Sequence, residues 1–200
     1  MKLTAVGILK WNGEGHTPVF LGVAADVSSF GYFQRGAVRE GLMFLSRTIV
    51  QRTQPGQRQS VKSEEYFCHV HVKDTALAAI VVADQEYPTT AAFAIITRVL
   101  DEFAQQAGDS WKAADADGTV ANLVLEAALT KFQDPTQADK ISKIQKDLDD
   151  TKIILHQTID SVLRRGEKLD SLVDASNDLS LASQMFYKQA RKTNQCCKFM

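Results

Sequence analysis

No stretch of this chain is apolar for long enough to cross a bilayer. The longest unbroken run, Ala76 to Ala83, falls far short of the roughly 18 to 20 residues a spanning helix needs. Met1-Lys2-Leu3-Thr4 opens no signal peptide, so the expectation is a chain made and kept in the cytosol. Cysteine is scarce at three residues, and no C-x-x-C pair stands with matching histidines, which argues against a disulfide framework and against zinc. Charge of one sign is missing too: a net charge of −1 gives no global steering toward nucleic acid. Asp115-Ala116-Asp117-Gly118 has part of a calcium loop, but Ala113 and Val124 stand where the outer carboxylates should be. His69 and His71 share a strand face without a third ligand, and Cys68 reads as a small buried hydrophobe. No catalytic group, metal or cofactor is expected.

What is present divides the chain in two. Leu3 to Trp11 and Pro18 to Val27 are β-rich runs around Asn12-Gly13-Glu14-Gly15, the composition of a hairpin loop. From Phe33 to Val50 the period becomes helical, with Val38, Leu42, Leu45 and Ile49 on one stripe. Gly36 and Gly41 each cost such a helix about 1 kcal/mol, which implies a late start or a very close neighbour. Ser60 to Glu64, Tyr66 to Val72 and Leu77 to Ala83 read as three more strands, and Ala92, Ile96, Val99 and Phe103 mark a second helix. Residues 109–118 read as a polar loop and Ala121 to Phe132 as a third helix. The order predicts an α+β domain over residues 1–132, a five-stranded antiparallel sheet with helices on both faces.

A linker over 133–137 leads to a different composition. Stepping alternately by three and four from Ile141 gives Ile144, Leu148, Thr151, Leu155, Thr158, Val162, Arg165, Leu169, Leu172, Ser176, Leu179, Ser183, Phe186 and Ala190. That alternation predicts a coiled-coil strand over 138–193, whose seam, Ile141 to Ala190, is about 75 Å long as one helix. The small residues on the seam suit a crowded bundle better than a two-stranded dimer. A buried Arg165 costs several kcal/mol unless partner chains supply acceptors, so it is best understood as fixing register and partner choice. The alternative is a seam phased one residue off, with Arg164 inward, but that frame ejects Leu169, Leu172 and Leu179.

Residues 194–200 end in Cys196-Cys197-Lys198-Phe199-Met200. Cys197 heads a C-a-a-X box whose terminal Met favours farnesyl, and Cys196 is a natural second acylation site. One lipid binds marginally, whereas two lipids, or one with the basic residues Lys188, Arg191 and Lys192, hold stably. The absence of a G-x-x-x-x-G-K-[ST] loop argues against a prenylated small GTPase. A chance C-a-a-X ending is the bland alternative.

These residues resemble the lipid-anchored longin R-SNAREs, synaptobrevin relatives that end in a prenylated cysteine. The likeness rests on Met1-Lys2-Leu3, Asp26-Val27-Ser28-Ser29-Phe30, Phe33-Gln34-Arg35, Asp84-Gln85-Glu86-Tyr87-Pro88, Thr151-Lys152-Ile153-Ile154-Leu155-His156, Arg165-Gly166-Glu167-Lys168-Leu169 and Cys196-Cys197. The resemblance implies a profilin-like longin domain, with one helix on one sheet face and two on the other, followed by an R-SNARE motif. Arg165 would meet three glutamines from Q-SNARE helices, Cys197 would be farnesylated and Cys196 palmitoylated. It further implies a SNARE disassembly machinery and a prenyltransferase as partners, and a place at Golgi, ER-Golgi, endosomal or vacuolar membranes. In such a family the longin domain folds back on the SNARE helix to hold a closed cytosolic form.

A physical reason for closure lies in the residues themselves. Ile153, Ile154, Leu163, Leu181 and Met185 lie off the seam and need cover. Met43 and Phe44, off the core stripe of the first helix, are the candidate groove for the helix or a lipid; alternatively Phe44 only widens a buried helix face. The competing function is a prenylated longin-domain adaptor or tether without fusion activity.

Overall fold

The computed structural model describes residues 2–63, 65–118, 120–134, 136–137 and 153–196, with side chains through residue 190. Strands β1 (Leu3–Lys10) and β2 (Val19–Ala25) form the expected hairpin, and Gly13 and Gly15 take the left-handed backbone its loop requires, at φ 100° and 83°. Helix α1 (Arg35–Gln51) follows behind a 3-10 turn at Tyr32–Gln34. Then come β3 (Arg58–Ser63), β4 (Tyr66–Val72) and β5 (Leu77–Asp84), joined antiparallel. Helices α2 (Thr89–Ala107) and α3 (Asn122–Lys131) complete the domain.

The sheet order is β2-β1-β5-β4-β3 with a sixth strand, β6 (Ile153–His156), beyond β3, so the almost fully buried β1 and β5 lie inside it, as their continuous apolar runs require. Alternation along β5 divides the core. Leu77, Ala79, Val81 and Ala83 face α2 and α3, whereas Ala78, Ile80 and Val82 face the layer of α1. One helix therefore covers one face and two cover the other.

Each sheet edge is closed differently. At β2 the Gly118 and Ala121 amides donate to the carbonyls of Phe20 and Leu21, and the side chains of Asp117 and Asn122 accept from the amides of Phe20 and Val23. That cover lies so close that a Cβ at Gly22 would meet the Asn122 Oδ1 at 2.7 Å. At β3 the edge is taken by a sixth strand that the sequence did not announce, β6 (Ile153–His156), running parallel to it.

Three local expectations change. Nothing lies within 4 Å of a Cβ built at Gly36 or Gly41, and both sit inside α1, so close packing does not account for them. Residues 109–118 are not wholly a polar loop: Ser110–Ala113 form a 3-10 turn that buries Trp111 in the core. The segment after residue 152 is not one helix in this conformation, as described below.

His69 is fully buried, its Nδ1 2.8 Å from the Ser60 hydroxyl and its ring against Phe67 and Phe93. Burial pushes the imidazole down from 6.5 to about 4. The folded protein thus holds His69 neutral where the unfolded chain would protonate it. Stability from this site is complete above the unfolded value, declines as pH falls through it, and levels off below about 4. Urea unfolding is expected to show a loss of about 2 kcal/mol between pH 7 and pH 5 from this group. His69→Gln removes that part of the pH dependence; an unchanged slope contradicts the assignment.

Candidate regulatory and assembly site

The segment that carries the heptad seam lies folded against the domain. From β6 the chain passes a 3-10 turn at Ile159–Val162, then Gly166 at φ 91°, a backbone only glycine adopts easily, and enters α4 (Leu169–Ala175). It ends in α5 (Leu181–Cys196). Ser180 caps α5, its Oγ accepting from the Ser183 amide at 3.3 Å and meeting the Ser183 hydroxyl at 2.9 Å.

The contact is chiefly apolar. Ile159, Leu169, Val173 and Leu179 are buried in one cluster with Phe44, Ile49 and Val50 of α1 and with Val61 and Val70 of the sheet. Leu42, Met43, Leu45, Val162, Leu163, Leu172 and Tyr187 pack half-buried around it. Phe44 is only 5% exposed and belongs to that cluster, and Met43 packs half-buried against it. Phe44 shares the same cluster with Ala5, Leu9 and Phe20 of the domain's own sheet.

Charged groups fix the register. The Arg52 guanidinium donates to Glu167 Oε2 at 2.8 and 3.2 Å, Arg47 pairs with Asp178 at 3.2 Å and also with Asp117, and Arg164 reaches Glu14 at 3.1 Å. The Ser180 amide donates to the Glu40 carboxylate at 2.8 Å. The Arg52 bond, aided by the Arg164 amide, holds the Glu167 carboxyl below its ordinary value, and the Ser180 amide does the same for Glu40. These charges favour the docked form at neutral pH and lose that effect as pH falls through the carboxylate range. In magnitude apolar burial wins: each large side chain contributes about 1.5 to 3 kcal/mol, whereas a partly exposed ion pair adds about 0 to 1.

Seam positions are scattered by this fold. Leu169, Leu179 and Ser183 are buried, Val162, Leu172, Ser176, Phe186 and Ala190 are half-buried, and Leu155 and Thr158 are exposed. Arg165 is exposed. Ile141, Ile144, Leu148, Thr151 and Cys197 lie outside the described residues, and Cys196 is the last residue of α5. Of the off-seam residues expected to need cover, Ile154 and Leu163 are half-buried, but Ile153 is 36% exposed, Leu181 79% and Met185 73%. Docking covers these residues unevenly because α5 turns Leu181 and Met185 outward. Sequence reasoning missed Ile159 and Val173 as contacts, although both are apolar residues off the seam. It missed β6 because Ile153-Ile154-Leu155 also fits a helix.

Among the described residues no helix is long and apolar enough to cross a membrane, and no cluster of His, Cys, Asp and Glu could hold a metal ion. The regulated-SNARE-like longin domain family matches residues 27–123 and the synaptobrevin family matches 140–199. The chain is 54% identical over 200 residues to the VAMP-like protein YKT61 of Arabidopsis thaliana, covering 100% of both. It is 48% identical over 202 residues to VAMP-like protein YKT62 of the same plant, and 46% identical over 202 to the synaptobrevin homolog YKT6 of Debaryomyces hansenii, again over 100% of each.

Proposed function

The chain belongs to the longin-type R-SNAREs, non-enzymatic proteins of vesicle trafficking, and on that premise we propose that it drives membrane fusion by adding one helix to a four-helix bundle with Q-SNAREs. Residues 138–193 supply that helix, with Ile141, Ile144, Leu148, Leu155, Val162, Leu169, Leu172, Leu179, Phe186 and Ala190 on its seam and Arg165 in its central polar layer. Residues 1–132 are the regulatory domain, 133–137 the linker and 194–200 the lipidation tail, farnesylated at Cys197 by a prenyltransferase and palmitoylated at Cys196. No cofactor takes part beyond these covalent lipids. Disassembly machinery separates spent complexes, and the protein moves between cytosol and the cytoplasmic face of Golgi, ER-Golgi, endosomal or vacuolar membranes.

One observation carries the reading. Leu169 and Leu179 are buried against the domain, and the same two positions are needed by the seam. A side chain cannot fill both interfaces, so the docked form is the inactive one and release precedes assembly. Zippering from Ile141 toward Ala190 would then convert folding free energy into a pull on the lipidated end.

The test mixes a fragment of residues 139–193 with three Q-SNARE helices and follows assembly by circular dichroism. A stable four-helix complex is expected, and the full chain should assemble at least tenfold more slowly, because only its undocked fraction binds. Failure of the fragment to assemble would favour the adaptor reading; equal rates would exclude autoinhibition.

A further inference from the structure

Tyr32 and Phe33, between β2 and α1, are 78% and 96% exposed and stack edge to face with ring centres 5.5 Å apart. Neither the docking contact nor the seam uses them. We infer that this aromatic pair, backed by Arg35 and Arg39, is a membrane-contact site through which the folded domain itself touches an anionic lipid surface. The inference rests on the proposed lipid anchor only for where the bilayer lies.

A mobile loop could expose two aromatics by default, but this one is braced at every step. Asp26 Oδ1 accepts from the Ser28 amide at 2.9 Å, and Asp26 Oδ2 pairs with Lys2 at 3.1 Å. Lys2 also donates to the Ser29 hydroxyl at 3.2 Å. The Phe30 amide donates to the Val27 carbonyl, and the Gln34 amide to that of Gly31. From the far side Arg35 donates through Nε to the Phe30 carbonyl and through Nη2 to that of Ser28, both at 3.1 Å, while its guanidinium stands 6.0 Å from the Tyr32 ring centre. A loop held this firmly presents its aromatics in one place, and Tyr and Phe flanked by arginine suit the boundary between headgroups and acyl chains.

Charge fits the same ligand. Arg35 and Arg39 are exposed, while the acids on either side are engaged: Asp26 with Lys2 and the Ser28 amide, Glu40 with the Ser180 amide. Position fits it as well. Glu167 sits at Arg52, Asp178 at Arg47 and Ser180 at Glu40, so the docked segment advances along α1 toward its N-terminal end. Helix α5 thus starts beside Glu40, about two turns from Phe33. It carries Leu181 and Met185 exposed one turn apart, and it runs to Cys196. Exposed aromatic, aliphatic and basic groups therefore lie within about two turns of one another around the N-terminal end of α1 and the start of α5, and the domain can present them to a bilayer while still closed.

The test uses the full chain with Cys196→Ser and Cys197→Ser, sedimented with vesicles of phosphatidylcholine with or without phosphatidylserine. The parent should bind the anionic vesicles weakly. Adding Tyr32→Ser and Phe33→Ser should lower the bound fraction about tenfold. Arg39→Glu should weaken binding several-fold on anionic vesicles and leave neutral ones unchanged. In a Phe33→Trp version, brominated lipids should quench fluorescence beyond the signal of Trp11 and Trp111. Equal binding of the parent and the double variant, a parent that never sediments, or an unquenched indole at position 33 each overturn the proposal. Lipidation plays no part in this measurement, so bare cysteines in cells would remove the proposed anchor without deciding the membrane contact.

Discussion

Val173→Asp should open the protein. Val173 is fully buried against the domain in α4, yet it stands off the heptad seam between Leu172 and Ser176. A carboxylate there loses the apolar contact and must either leave the cluster or stay unpaired inside it, a cost of about 3 kcal/mol or more. The docked population then falls more than about a hundredfold. Since the change lies on the segment and not in the domain, the domain's own core keeps its side chains. Hydrogen exchange should show amides from 153 to 190 unprotected while β1, β4 and β5 keep their protection. Mixed with Q-SNARE helices, the variant should assemble at the rate of the isolated fragment. Retained protection at 153–156 would show that the docked state does not depend on this contact. Phe44→Glu should act in the same direction, but it also touches the domain's core and is the less clean test.

Arg165→Glu should do the reverse, sparing the closed form and disabling assembly. Arg165 is exposed here and lies just before Gly166, where the chain turns, so a reversed charge disturbs no buried contact. In the proposed bundle the same position faces acceptors from three partner helices inside a low-dielectric layer. A carboxylate in place of the guanidinium finds no donor there and costs the complex about 3 to 5 kcal/mol. Exchange protection of the full chain should match the parent, whereas complexes formed by the variant fragment should melt at markedly lower temperature. A complex of unchanged stability would mean that Arg165 faces solvent in the bundle, and the slipped frame with Arg164 inward would take its place. Together the two substitutions separate holding from zippering, because each touches one interface and spares the other.

The sequence was most legible where one structure satisfies it. Alternation in β5, the apolar stripe of α2 and the glycines of the first hairpin each have one physical solution, and the domain forms accordingly. It was least legible after residue 152, where two structures compete for the same residues. Ile153-Ile154-Leu155-His156 carries a seam residue and also a β-branched pair suited to a sheet edge. Gly166 would weaken one long helix; in the closed form it is the turn that lets α4 come back onto α1. Trp111 was hidden among polar residues, and only its neighbours in three dimensions draw it into the core. Edge closure by Asp117, Gly118, Ala121 and Asn122 left no periodic signal at all, since it depends on backbone amides and two polar side chains.

The parallel pairing of β6 with β3 has a consequence for how release proceeds. Four residues laid in a sheet cover about 13 Å, and the same four wound into a helix cover about 6 Å. The two geometries share neither length nor side-chain period, so Ile153–His156 must leave β3 before an advancing bundle can wind them into its helix. In the proposed fusion step the strand would therefore serve as a latch whose release precedes zippering through this stretch.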